Sequence, residues 1–146
     1  MNKYITEFIG TFFWVMGAVL GGAVGASLAL IIMVYAGGHI SGAHYNPAVT
    51  LSVWMRGKIE MKDAVMYWVF QFIAAIAAAF IAANLFGAEG SGSCAIADDG
   101  ATKAIIAELL GTFALAYVML NVATAKSTSG NSFYGLAIGG TLLAMA

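Results

Sequence analysis

The stretch Gly37-Gly38-His39-Ile40-Ser41-Gly42-Ala43-His44-Tyr45-Asn46-Pro47-Ala48 decides how this chain folds. It lies inside a run from Phe8 to Met55 that contains no Lys, Arg, Asp or Glu. Asn is a strong N-cap residue, and Pro at the next position has its φ pre-set for the first helical turn. The glycines and histidines before it do not continue a regular apolar helix. An irregular segment therefore ends at Asn46 and a short helix begins, within an apolar stretch. Irregular backbone at membrane depth is tolerated only where protein or a water-filled cavity satisfies its polar groups. The stretch points to a pore.

Composition sets the surroundings. The 146 residues are 62% hydrophobic and 9% charged, where a soluble domain carries roughly a quarter charged residues. An integral, multi-pass, all-α membrane protein is expected. The net charge of −1, with no block of like charges, gives no reason to expect a nucleic-acid partner. Cys94 is the single cysteine, so neither an intrachain disulfide nor a metal cluster is expected. Lys3 is a weak n-region and Glu7 interrupts the first apolar segment, so a cleaved signal peptide is not expected either.

A membrane helix needs about 20 apolar residues. Residues 64–88 supply one span and residues 104–125 another, with Glu108 near its start. A third apolar run, 133–146, amounts to roughly 21 Å of helix and does not cross alone. If residues from His39 onward are re-entrant, Phe8 to Gly38 leaves roughly 46 Å of helix, against ~60 Å for two untilted crossings. Gly17, Gly21, Gly22 and Gly25 offer a place to turn. Equally, Gly17, Gly21 and Gly25 form a small-xxx-small ladder for close helix packing. Two short crossings or one both remain open. With two, Lys3, Arg56, Lys58, Lys62 and Lys126 fall on one face, opposite a loop holding Glu89, Asp98 and Asp99. The positive-inside rule makes that face, and the N-terminus, cytoplasmic. Trp54, Tyr67 and Trp68 flank it, either as interfacial aromatics or as packing residues.

An internal repeat organises the chain. Ile5-Thr6-Glu7-Phe8-Ile9-Gly10-Thr11-Phe12 returns as Ile106-Ala107-Glu108-Leu109-Leu110-Gly111-Thr112-Phe113, and Leu28-Ala29-Leu30 echoes in Leu136-Ala137-Ile138. Three crossings between the two copies would invert them across the membrane, and inverted repeats with broken helices place a site near the midplane. The domain reading is residues 1–88 as a first repeat, 89–103 as an extracellular-side loop, and 104–146 as the start of a second repeat.

Glu-Phe-Ile-Gly-Thr-Phe at 7–12, the 38–50 motif and the second Glu-x-x-Gly-Thr-Phe at 108–113 together resemble the major intrinsic proteins, the aquaporins and aquaglyceroporins. The resemblance implies an inverted-repeat helical bundle in which half-helices begin at Asn-Pro-Ala boxes, assembled as a homotetramer with one pore per subunit. Here it implies one re-entrant half-helix, and a chain that stops within the family's fifth helix. Asn46, Pro47 and Ala48 would form the first box, and the carbonyls of Gly42, Ala43 and His44 a polar stripe along the pore. Glu7 and Glu108 would be carboxylates that hold re-entrant loops. The positions similar to the family's filter are Ala26 and Ala146, whose small side chains would suit glycerol, urea or ammonia besides water.

Other residues have plainer expectations. His39 reads as a buried structural hydrogen-bonder and His44 as pore-adjacent. Val49, Leu51 and Val53 form an apolar wall or pack on other helices. Gln71 and Asn121 are expected to bond between helices, and the alanines at 75, 79 and 83 to form a packed ladder. Two functions follow: a passive channel for water and small neutral solutes, of which residues 1–146 are an incomplete form, or a non-conducting partner of full-length subunits. The 146 residues alone are not expected to close a pore. No nucleophile or metal-ligand spacing supports an enzyme and no cofactor is expected. The partners are lipid and solute, and the expected location is a bacterial or archaeal inner membrane.

Overall fold

The computed structural model describes residues 2–88 and 100–146. Cys94, Glu89, Asp98 and Asp99 lie outside the described residues. The described chain is helical: α1 (Asn2–Ser41), α2 (Pro47–Met55), α3 (Met61–Phe86), α4 (Ala101–Thr124), a short 3-10 turn (Lys126–Thr128) and α5 (Tyr134–Met145).

α1 is a hairpin. Ser41 Oγ lies 2.7 Å from Glu7 Oε1, although a straight helix would hold residues this far apart in sequence about 51 Å from one another. The fold-back occurs at Gly22, whose φ of 58° and ψ of −149° belong to a region that only glycine enters at little cost. Gly17 and Gly25 then face each other, and a Cβ on either would collide with backbone of the other. The glycine cluster thus supplies both the turn and the close contact, at different positions. Gly21 meets nothing. The expected shortage of helix does not arise, because polar residues at both ends join the arms. Residues 2–21 and 23–41 give about 30 Å and 28 Å, each close to a bilayer core. α3 and α4 are also long and apolar enough to span, so with the two arms of α1 the described residues hold four helical segments of bilayer length.

α2 is roughly 14 Å long and packs against α3 and α4. Leu30, Val34, Val49, Val53, Leu115, Met119 and Ile138 bring α1, α2, α4 and α5 into one buried cluster. Leu51 faces outward. α3 buries Ala64, Tyr67, Gln71, Ala74, Ala78 and Ala82, a stripe at helical spacing. The packed alanines are therefore not the 75, 79, 83 ladder. Those side chains lie one position round the helix, half-buried at 75 and exposed at 79 and 83, because Tyr67 and Gln71 set the inward face. Large apolar side chains such as Ile76, Phe80, Leu109 and Phe113 cover the outside, as lipid contact requires.

One end of the bundle gathers Lys3, Arg56, Lys58 and Lys126. Lys3 Nζ sits 2.7 Å from Asp63 Oδ2, Tyr4 donates to Asp63 Oδ1 at 2.7 Å, and Arg56 Nε donates to Thr124 Oγ1 at 3.0 Å. Lys3, Lys58 and Lys126 border one open cavity at this end. Tyr67 and Trp68 serve packing: Tyr67 is buried and donates to Ser41 O at 2.6 Å, and Trp68 Nε1 donates to Pro47 O at 3.0 Å. Trp54 is half-buried.

Candidate functional site

Residues 42–46 join the second arm of α1 to α2 without regular structure, and every N–H of residues 42–45 is tied to protein. Gly42 N donates to Gly38 O at 3.0 Å and Ala43 N to Ser41 Oγ at 3.0 Å. His44 N donates to Glu7 Oε1 at 3.0 Å and Tyr45 N to Glu7 Oε2 at 2.7 Å. The carbonyls of Ser41 and Tyr45 are also used, by Tyr67 and Thr11 respectively. Those of Gly42, Ala43 and His44 accept from no donor among the described residues. Three consecutive acceptors are thus left free by the same bonds that hold the amides.

This arrangement needs unusual backbone. Gly42 has φ 85°, and Ala43 and Tyr45 both have φ 51°. A non-glycine residue held left-handed costs on the order of 1–3 kcal/mol. Glu7 offsets that cost. Its two oxygens accept from Ser41 Oγ, His44 N, Tyr45 N and Gln71 Nε2, and its side chain is fully buried. The Tyr45 ring seats against Gly10, where any Cβ would strike it, and its hydroxyl donates to Met33 O at 2.9 Å.

Asn46 is the N-cap of α2. Its Oδ1 accepts from Ala48 N at 2.8 Å and Val49 N at 3.4 Å, while Nδ2 donates to no described residue. Pro47 stands at the first helical position, so no N–H is wasted there. Thr50 donates to Asn46 O at 3.1 Å and lies 3.0 Å from Gln71 Nε2 and 3.2 Å from His44 Nδ1. Thr50 Oγ1 thus joins Asn46, His44 and Gln71 in one buried hydrogen-bonded cluster, the direction of its bond with His44 Nδ1 set by the tautomer of the ring.

Two cavities meet this loop. An open one of about 1190 Å³ is bordered by Ser41, Gly42, His44 and Tyr67, together with Lys3 and Lys126. A small one of about 10 Å³ lies between Trp14, Ala43, His44, Asn46 and apolar side chains of α4 and α5. His44 and Met119 border both. His39 lines the open cavity and is exposed, so it is not the buried hydrogen-bonder expected; it faces outward on the last turn of α1. Ala26 is buried on α1 and Ala146 is exposed beyond α5, and neither borders these two cavities. Glu108 is exposed on α4 without a hydrogen bond among the described residues.

Ser41, Thr50 and Tyr67 escape the sequence reading as parts of this site. The available signal is a polar side chain inside an apolar span, which must find a partner. Gln71 carries that signal and does bond between helices, to Glu7 of α1 and Thr50 of α2. Asn121 does not. Its Nδ2 returns to Tyr117 O within α4, and the residue is exposed.

The sequence matches the family described as Major intrinsic protein over residues 1–146. It is 36% identical to the Glycerol uptake facilitator protein-like 6 of Lactiplantibacillus plantarum, over 97% of this chain and 72% of that protein. It is 35% identical to Aquaporin NIP1-4 of Oryza sativa subsp. japonica, over 98% of this chain and 58% of the relative. Aquaporin Z of Rhodopseudomonas palustris is 34% identical over 94% and 68%. The chain thus spans between a little over half and about seven-tenths of these relatives. A buried carboxylate holding a loop that leads into an Asn-capped half-helix, together with these matches, places the chain in the major intrinsic protein family.

Proposed function

We propose that this chain forms the first half, and part of the second, of a passive channel for water and small neutral solutes. The observation that carries the reading is the loop 42–46, which leaves the carbonyls of Gly42, Ala43 and His44 unclaimed beside the Asn46 amide. A solute leaving bulk water loses hydrogen bonds; a row of fixed acceptors replaces the ones its hydroxyl or amine hydrogens made. At Asn46 the pattern reverses to a donor, and the N-terminus of α2 adds the positive end of a helix dipole. A solute oxygen is therefore held acceptor-first, while a cation meets repulsion. The His44 ring borders both the open cavity and the small one. Glu7 has no contact with solute in this scheme; it positions the loop.

The repeat supports a division into residues 1–88, a connecting loop at 89–103, and a second repeat from 104 onward, with Glu108 as the counterpart of Glu7. Gathering of Lys3, Lys58 and Lys126 at one end supports a cytoplasmic N-terminus. The glycerol-facilitator name of one relative supports glycerol, urea or ammonia alongside water; Ala26 and Ala146 stay proposed filter positions by their resemblance to the family, although neither borders the two cavities. A homotetramer surrounded by lipid completes the proposal. The test is stopped-flow light scattering on proteoliposomes containing the gene product that carries this sequence. Water and glycerol fluxes well above protein-free vesicles, without ionic conductance, are expected. Fluxes equal to empty vesicles, or a cation current, would overturn the reading.

A further inference from the structure

Among the described residues, only two buried side-chain polar atoms have no hydrogen-bond partner: Trp14 Nε1 and Gln71 Oε1. The first is the more telling. Indole N–H can only donate, and a buried Trp N–H nearly always finds an acceptor. Trp14 stands two helical turns beyond Glu7, on the same face of the first arm of α1. Its side chain borders the small cavity that also touches Ala43, His44 and Asn46, with Leu30, Val49, Leu115, Met119 and Ile138 as the apolar remainder. At about 10 Å³, the space is close to the ~10–15 Å³ needed for one water-sized oxygen.

We infer that the Trp14 indole N–H is a second solute-binding donor of the conduction path, acting with Asn46 Nδ2 on one oxygen. This rests on the channel reading above. A hydroxyl or carbonyl oxygen has two lone pairs and can accept from both donors at once, while the one hydrogen of a hydroxyl is left for an acceptor such as the Ala43 carbonyl. Ammonia has one lone pair and can take only one of the two. Trp14 therefore favours water, polyols and urea over ammonia, and acts as a specificity-determining residue on the wall supplied by α1.

Two measurements test this. The first compares wild type, Trp14→Phe and Trp14→Leu in proteoliposomes. Loss of the donor in Trp14→Phe should lower glycerol flux about 2- to 10-fold, the range for one neutral hydrogen bond, and leave ammonia flux within about 2-fold. If Trp14 is only a steric wall, both fluxes rise from Trp to Phe to Leu, and the inference fails. The second uses 15N-indole-labelled protein in detergent micelles, with the Trp14 signal assigned by its absence in Trp14→Phe. Trp68, whose Nε1 is bonded to Pro47 O, is the protected internal control. The Trp14 N–H should show transfer from water and shift on adding glycerol. A Trp14 signal as protected as that of Trp68, and unmoved by glycerol, means protein satisfies the indole and refutes the inference. The NMR arm needs no conduction. Absent wild-type flux would count against the channel reading, while the indole signal would still decide the fate of Trp14.

Discussion

Replacing Glu7 with Gln exchanges one acceptor oxygen for a donor amide at the point where four donors converge. Ser41 Oγ and His44 N use one oxygen, and Tyr45 N and Gln71 Nε2 the other. Whichever oxygen becomes the amide, two donors lose their acceptor and face an N–H instead. Each buried donor left unsatisfied costs about 1–3 kcal/mol, so Glu7→Gln should destabilise the chain by about 2–6 kcal/mol. That is a large part of the ~5–15 kcal/mol that stabilises a typical fold. The side chain keeps nearly its full volume, so the loss cannot be assigned to a cavity. Unfolding in mixed micelles, followed by circular dichroism, measures it. Glu60→Gln is the control, because Glu60 is exposed and makes no capping bond at the start of α3; it should change stability by less than about 0.5 kcal/mol. If Glu7→Gln behaves like Glu60→Gln, the carboxylate does not hold the loop and the reasoning fails.

Further substitutions separate the roles around the loop. Asn46→Asp keeps the capping oxygen but replaces the free Nδ2 donor, so stability should hold within about 0.5 kcal/mol while swelling rates fall at least about tenfold, a barrier increase of about 1.4 kcal/mol. Asn46→Ala removes the cap as well and should additionally cost about 0.5–2 kcal/mol of stability in the same unfolding assay. Gly10→Ala drives a methyl group into the Tyr45 ring and should destabilise by about 1–3 kcal/mol, with the near-ultraviolet signal of tyrosine altered. Asp63→Asn breaks the partly exposed pair with Lys3; it should cost no more than about 1 kcal/mol, and the difference should shrink in high salt.

How far the sequence could be read depended on whether a signal was local. Asn46-Pro47 announces a helix start from its own chemistry, and α2 begins at Pro47. The spans around Gln71 and Leu115 follow from apolar length alone. The hairpin was harder. Counting from the first residue after Glu7, and stopping where the re-entrant segment is expected to begin, leaves α1 too short for two crossings, because the count excludes Asn2–Glu7 and His39–Ser41. Both stretches are helical, and Glu7 and Ser41 meet across the fold, a long-range contact that no local pattern encodes. The inward face of α3 was misplaced by one residue for a similar reason. Alanines occur at 74, 75, 78, 79, 82 and 83, so periodicity fits two faces equally, and the contacts of Tyr67 and Gln71 choose between them. Within the loop, the free carbonyls at 42–44 depend on left-handed backbone at Ala43 and Tyr45. Neither residue type advertises that conformation. Trp14 is invisible as a donor until its surroundings are known, since a Trp in an apolar span reads first as bulk.

Water-edited solid-state NMR on bilayer samples, with 13C labels at the carbonyls of residues 41–45, tests the acceptor stripe most directly. Magnetisation from water should reach the carbonyls of Gly42, Ala43 and His44 quickly. It should reach Ser41 and Tyr45 slowly, since Tyr67 and Thr11 already occupy those two oxygens. Uniformly slow transfer to all five carbonyls, or faster transfer to Ser41 and Tyr45 than to the three between them, would contradict a solute path along this loop.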